Sequence, residues 1–382
     1  MSYNVLFLGD DFMKRELRNI FFFFIILSIF SFFVISCSAK KEIKDGAKKS
    51  DSTNSSLAEK EFVLEMPELN DSYVPKKSAY NFYFTYKLVH SWWDAVALGM
   101  ESAVRQYEEN GIYITFDYLA PDNVSAKDQV QRISNAAASG SYDVIGVDVA
   151  DIDIVTPAIN RLIESGNKVM TFSSSDSGKE NGCKRIAYVG NTHNFEDGAD
   201  LAQILCEKLS YTGQIAMLVG SVGAPCHEDR AKGAKSVFSK YPGIELVDVK
   251  YDDDSEENAY NFTKEFLSKY PNLEGIICCN MSNPVGAGRA VLEGDKKKKI
   301  TIVGMDHDKR AIEYLKDGVI YALALQDCFG IGFDTITTAI KIADGVQPGT
   351  IYPEKTEEKT TIFYKQDAEF LLNSLYGVID YK

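Results

Sequence analysis

The sequence predicts an α/β protein of two lobes, each built on a parallel sheet covered by helices. Three observations carry that prediction. Short apolar runs alternate with amphipathic helical patterns from residue 79 onward, the βα order that yields a parallel sheet with helices on both faces. Glycine or proline punctuates many of the junctions, at Gly111, Gly140, Gly166, Gly213, Pro242 and Pro271. Ten strand candidates are too many for a single unit of about five or six strands, so they divide between two lobes, which the 382 residues are long enough to supply.

Taken in order, the chain opens on a segment that does not read as part of the globule. Basic residues Lys14, Arg15 and Arg18 precede an apolar run over 20–35, then Ser36 and Cys37, the layout of an export signal. The run is shorter than the roughly 20 residues that cross a bilayer as a helix. Its end, "VISC", resembles a bacterial lipoprotein box, which implies cleavage before Cys37 and a lipid on that cysteine. Asp10 and Asp11 ahead of such a signal are unusual, so Met13 is the expected start. Residues 38–78 are rich in Lys, Ser, Asp, Asn and Glu without a sustained apolar period and read as a flexible tether, reaching roughly 35 Å root-mean-square.

The strand candidates follow as "YNFYFTY", "IYITFDYL", "YDVIGVDV", "KVMTFSS", "RIAYVG", "QIAMLVG", "IELVDVKY", "LEGIICC", "KITIVGMD" and "YALALQ", with amphipathic segments such as "DAVALGMESAVRQYEEN" and "NFTKEFLSKY" between them. Ligands of open α/β sheets gather at the carboxyl ends of the strands. There the sequence places Lys87, His90, Trp92 and Trp93; Ser173, Ser174, Ser175 and Asp176; Ser221 and, further on, Arg230; Asp252, Asp253 and Asp254; Asn280; Asp306; and Gln326. Aromatic planes, one arginine, carboxylates and amides suit a polyhydroxylated ligand, whose hydroxyls take paired donors and acceptors while its C–H faces stack on rings.

The formal net charge of −14 argues against a nucleic-acid partner. Removing 1–36 would take away three basic residues and three acidic ones, Asp10, Asp11 and Glu16, so the mature chain keeps that charge. Besides Cys37 there are Cys183, Cys206, Cys226, Cys278, Cys279 and Cys328, with no CxxC pair, so they read as small buried residues. Cys226 and His227 lack two further ligands for a metal site. The motifs GxGxxG after the first strand, GxxxxGK[ST], GxSxG and HExxH are all missing, so neither catalysis nor a cofactor is expected.

"HSWWDAV", "YVGNTHN", "DRAKGAKSVFSKYPGIELV", "IICCNMSNPVGAGRAV", "IVGMDHDKRAIEYLKDG" and "ALALQDCFGIGFDTITTAI" resemble, in order and spacing, the type I sugar-binding proteins of ABC importers, the family that includes ribose-binding protein. The likeness spans roughly 79–365. It implies two Rossmann-like lobes joined by a three-crossing hinge, 79–191 plus 327–355 and 192–326 plus 356–382, that close on a sugar. It further implies a monomer, lipid-anchored and facing the periplasm or cell exterior, which delivers the sugar to the permease subunits of an ABC transporter. The alternative is a binding protein of the same fold feeding a chemoreceptor or sensor kinase.

The resemblance puts two aromatics at Trp92 and Trp93 with a polar residue, His90, before them, and carries an arginine to Arg230, an asparagine to Asn280, an aspartate to Asp306 and a hinge glutamine to Gln326. It departs at two places. Ser173 stands where many relatives have an aspartate, and the opposing aromatic of ribose binders falls near Asp254, so one lobe has lost a carboxylate and the other gained acidity. Tyr86 and Ser174 complete the candidate set. By helical angle Trp93 lies about 30° from the apolar stripe of Val96, Met100, Ala103, Val104 and Tyr107 and Trp92 about 70° away on the other side, which makes Trp92 the more exposed platform and Trp93 half wall, half core.

Overall fold

Two sheets of six strands organise the described residues. The computed structural model describes residues 67–69, 73–89, 91–121, 125–294 and 299–376, all within one compact unit spanning 63–382. Cys37 and the export signal lie outside the described residues, as does His90.

The first sheet has the order β11-β5-β4-β3-β1-β2, from β1 (Ala79–Thr85), β2 (Tyr113–Leu119), β3 (Val144–Val147), β4 (Val169–Ser173), β5 (Tyr188–Gly190) and β11 (Lys355–Glu357). All its pairings are parallel. The second has the order β12-β10-β9-β8-β6-β7, from β6 (Gly213–Val219), β7 (Ile244–Tyr251), β8 (Leu273–Cys278), β9 (Thr301–Met305), β10 (Ile320–Gln326) and β12 (Thr360–Tyr364). Here β12 runs antiparallel to β10, against the all-parallel expectation. The edge strands β11 and β12 went unforeseen because one is three mostly polar residues and both lie beyond the regular βα alternation.

Each lobe buries both sheet faces under helices. On the first sheet, α1 (Ser91–Glu109) and α9 (Cys328–Ala343) cover one face and α2 (Ala126–Ser139) and α3 (Ile152–Glu164) the other. The second lies between α4 (Asn194–Lys208) and α5 (Pro225–Phe238) on one side and α6 (Glu256–Lys269), α7 (Ser282–Glu293), α8 (Lys309–Asp317) and α10 (Ala368–Tyr376) on the other. Local chemistry sets the helix ends: Ser125, Asp151, Ser255 and Asp308 each accept a backbone N–H at a helix start.

Glycine lets α4 and α5 touch backbone to backbone. A Cβ on Gly198 would stand 2.0 Å from the carbonyl oxygen of Arg230, and one on Gly233 would stand 1.9 Å from that of Phe195. The contact fixes the α5 turn that carries Arg230.

The chain passes between the sheets three times, after Gly190, after Gln326 and between Glu357 and Thr360. The last crossing falls later than residue 355, because Thr356 and Glu357 still pair with Val189 and Gly190. The expected tether does not extend to residue 78. Leu69 N–H donates to Gln106 Oε1 at 2.8 Å and Tyr73 Oη to Asp344 Oδ2 at 2.7 Å, and both side chains pack on the first lobe's core. The segment's polar composition hid these two apolar anchors.

Candidate functional site

In both sheets the strand order reverses at the first strand, between β1 and β3 and between β6 and β8, which leaves a crevice at the carboxyl ends. The two crevices face each other across a cavity of about 40 Å³. Eight of the eleven candidate residues line it: Trp92, Trp93, Ser174, Arg230, Asp254, Asn280, Asp306 and Gln326. Lys87, Leu88, His227 and Met281 complete the lining.

From the first lobe comes a buried ion pair. Lys87, two residues beyond β1, places Nζ 3.3 Å from Asp148 Oδ1, just beyond β3, and 3.3 Å from Ser175 Oγ. Burial works against the ammonium, but Asp148 outweighs it and holds Lys87 above the ordinary lysine range. Asp148 also accepts from Lys87 N–H at 3.0 Å and from Ser173 Oγ at 2.6 Å. Ser173 therefore supports the wall from behind instead of facing the cavity. The first lobe has not lost a carboxylate: the neighbouring strand supplies Asp148, wholly buried and bonded to the serine that replaced the expected aspartate. Sequence spacing within one strand could not show that exchange between strands.

Tyr86 is likewise behind the wall. Its ring lies 4.6 Å from that of Trp93 and 4.4 Å from that of Tyr118. Trp93 also contacts Phe172, with ring centroids 6.1 Å apart, and so belongs to the core as much as to the cavity. Trp92 is equally buried, but its Nε1 donates to Asp306 Oδ1 of the other lobe at 3.2 Å. The two indoles differ in partners rather than in exposure.

The second lobe contributes two carboxylates and a guanidinium to the lining. Asp306 adopts the left-handed backbone conformation, φ 69°, and accepts from Gln326 Nε2 at 2.7 Å. Asp254, also left-handed at φ 60°, accepts from Asn280 Nδ2 at 2.6 Å and Ser221 Oγ at 2.9 Å. His227 Nδ1 accepts Ser221 N–H at 3.0 Å, which leaves Nε2 to carry the proton 3.5 Å from Asp254. Burial opposes a charge on His227, but Asp254 and Cys226 outweigh it and raise its pKa. Behind them Asp252 is pushed up to about 8 by burial and by the Asp254 charge. Arg230, 2% exposed, donates Nη1 to Cys279 O at 3.1 Å, while Nε and Nη2 have no hydrogen-bond partner among the described residues.

Asn191, on the first crossing, reaches Gln326 on the second and Thr360 on the third, with Nδ2 at 3.4 Å and 3.2 Å. Through Gln326 the hinge is bonded to Asp306 in the cavity. No group of acidic, histidine and cysteine side chains suited to a metal ion occurs among the described residues, and Cys226 and His227 serve other partners.

The periplasmic binding protein domain matches residues 82–347. The chain belongs to that family. This periplasmic binding protein is 24% identical over 241 residues to the D-allose-binding periplasmic protein of Escherichia coli, covering 62% of this chain and 76% of that one. Its fold is similar to that of an ABC transporter solute-binding protein from Burkholderia graminis solved with D-arabinose, with TM-score 0.69, 24% identity and coverage of 76% and 98%. It is also similar to one from Actinobacillus succinogenes solved with D-allose, with TM-score 0.67, 24% identity and coverage of 77% and 100%. The binding protein has the type I fold.

Lys87 and His227 were within reach of the sequence. Lys87 stands directly at a strand's carboxyl end, and His227 lies three residues before Arg230. Met281 follows Asn280 and gave no signal beyond that adjacency.

Proposed function

We propose that this protein is an exported lipoprotein that captures a monosaccharide or related polyol between its lobes and delivers it to an ABC importer. The observation that carries the reading is Arg230. A buried guanidinium with two nitrogens unbonded is costly to leave unpaired, and it lines the same cavity as Asp254, Asp306 and Trp92. A sugar repairs that deficit: hydroxyl oxygens accept from Arg230, hydroxyl protons go to Asp254 or Asp306, and a C–H face lies on Trp92. The allose- and arabinose-binding relatives support the choice of ligand class.

Opening and closing about the three crossings would admit and grip the ligand, which favours closure because only the closed form contacts it from both lobes. No bond is made or broken, and no cofactor is called for. Asp148 and Lys87 neutralise each other, so the first lobe offers a wall of fixed polarity.

The test is a panel of pentoses, hexoses, inositols and amino sugars against the full-length chain in detergent micelles. A ligand at one hundred times its dissociation constant stabilises the folded state by about 2.7 kcal/mol, which reads as a thermal shift accompanied by a change in tryptophan fluorescence. A panel without any shift would refute sugar binding. Labelling with radioactive palmitate should vanish in Cys37→Ser; persistence of the label would remove the lipid anchor from the reading.

A further inference from the structure

A polar chain runs from one lobe to the other beside the cavity and uses a thiol that sugar binding does not require. Lys87 Nζ donates to Ser175 Oγ at 3.3 Å, and Ser175 Oγ donates to Cys226 Sγ at 3.0 Å across the lobe boundary. Cys226 is the second residue of α5, after Pro225, where unpaired backbone N–H groups and the helix dipole favour a negative charge. His227 is its neighbour in sequence and Arg230 stands one turn on, with its two unbonded nitrogens. Cys226 is 1% exposed, so the closed lobes shut it in.

The groups facing this sulfur decide its character. Burial would raise the thiol's pKa, but His227, Lys87 and Arg230 outweigh it and lower the value to about 6. The carboxylates stand one step further off: Asp148 is paired with Lys87, and Asp254 lies beside His227. Tyr188 is pushed well up by burial and stays neutral. The other described cysteines contrast with Cys226. Burial raises Cys206 to about 11 and Cys279 to about 12, and drives Cys278 and Cys328 well up.

We propose that Cys226 is a modification site that gates closure: with the lobes open its sulfur exchanges with a small disulfide, and the resulting adduct holds the lobes apart. This rests on the hinged reading of the previous section. In the exchange Sγ forms a bond to one sulfur of the disulfide, the old S–S bond breaks, and the other half leaves as a thiolate, with no further oxidant consumed. An adduct cannot fit where Sγ meets Ser175 at 3.0 Å in a close-packed boundary, so closure and sugar capture are lost together.

The experiment incubates the full-length chain in detergent micelles with oxidised glutathione and reads each cysteine by peptide mass spectrometry. Cys226 is expected to be modified at least about tenfold faster than Cys206 or Cys278, and faster at pH 7 than at pH 5, following its thiolate fraction. The modified chain should show a larger radius of gyration by small-angle scattering, and Cys226→Ala should abolish that expansion. Modification of Cys226 no faster than of Cys206 would overturn the proposal, as would expansion that persists in Cys226→Ala. Neither readout needs a sugar. A silent sugar panel with a reactive Cys226 would sink the sugar reading alone, and an unreactive Cys226 with a responding panel would sink this one alone.

Discussion

Replacing Lys87 by methionine tests whether the first lobe's wall depends on its buried ion pair. The side chains of Lys87 and Asp148 are 7% and 0% exposed and 3.3 Å apart, a separation that gives about 5 kcal/mol of attraction at an effective dielectric constant of about 20. Breaking such a pair from one side leaves an uncompensated buried carboxylate, a loss of about 3–5 kcal/mol. Ser173 Oγ and the Lys87 backbone N–H still donate to Asp148, so the lower end is expected. Lys87→Met/Asp148→Asn should recover about half of the loss, because the partner left behind is then neutral. Lys87 is held above its ordinary range, so its stabilisation is fully present below about pH 10 and lost only above it; the difference from wild type should therefore be constant between pH 6 and 9. Urea denaturation of the four proteins of the cycle measures it. A loss below about 1 kcal/mol for Lys87→Met, or a double mutant no more stable than the single, would refute the reasoning.

Other expectations follow from the same geometry. Trp93→Ala should cost about 3–5 kcal/mol of stability, because its ring packs against Tyr86 and Phe172, as well as affinity for whichever sugar the panel identifies. Trp92→Ala should cost mainly affinity, and equal stability losses in the two variants would contradict the split. The Asp252 carboxyl is raised, so its contribution is fully present below about pH 4 and declines as the pH rises toward 8; Asp252→Asn should flatten that decline in thermal melts, and an unchanged slope would count against it. Gly198→Ala should force α4 from α5 at the Arg230 carbonyl, costing about 1–3 kcal/mol and weakening sugar binding in calorimetry. Retained stability and affinity would show that the helix contact is not needed.

The sequence by itself determined the ten strands of the βα alternation, the division into two lobes and most of the cavity's lining. Apolar periodicity reports which residues face a core, and the carboxyl end of a strand is a position that counting along the chain can find. Helix caps are local in the same way: Asp308 stands at the start of α8 and accepts the Arg310 N–H.

What the tertiary structure decided is whatever depends on elements far apart in the chain. It put Asp148, just beyond β3, in place of the carboxylate missing at Ser173, and it set Tyr86 and Ser173 behind the cavity wall. It drew Leu69 and Tyr73 onto the first lobe, and it set Cys226 against Ser175 across the lobe boundary. The physical reason is the same throughout. Periodicity fixes a side chain's direction relative to its own strand or helix, whereas its partner is fixed by which strands become neighbours and by how the lobes close on each other.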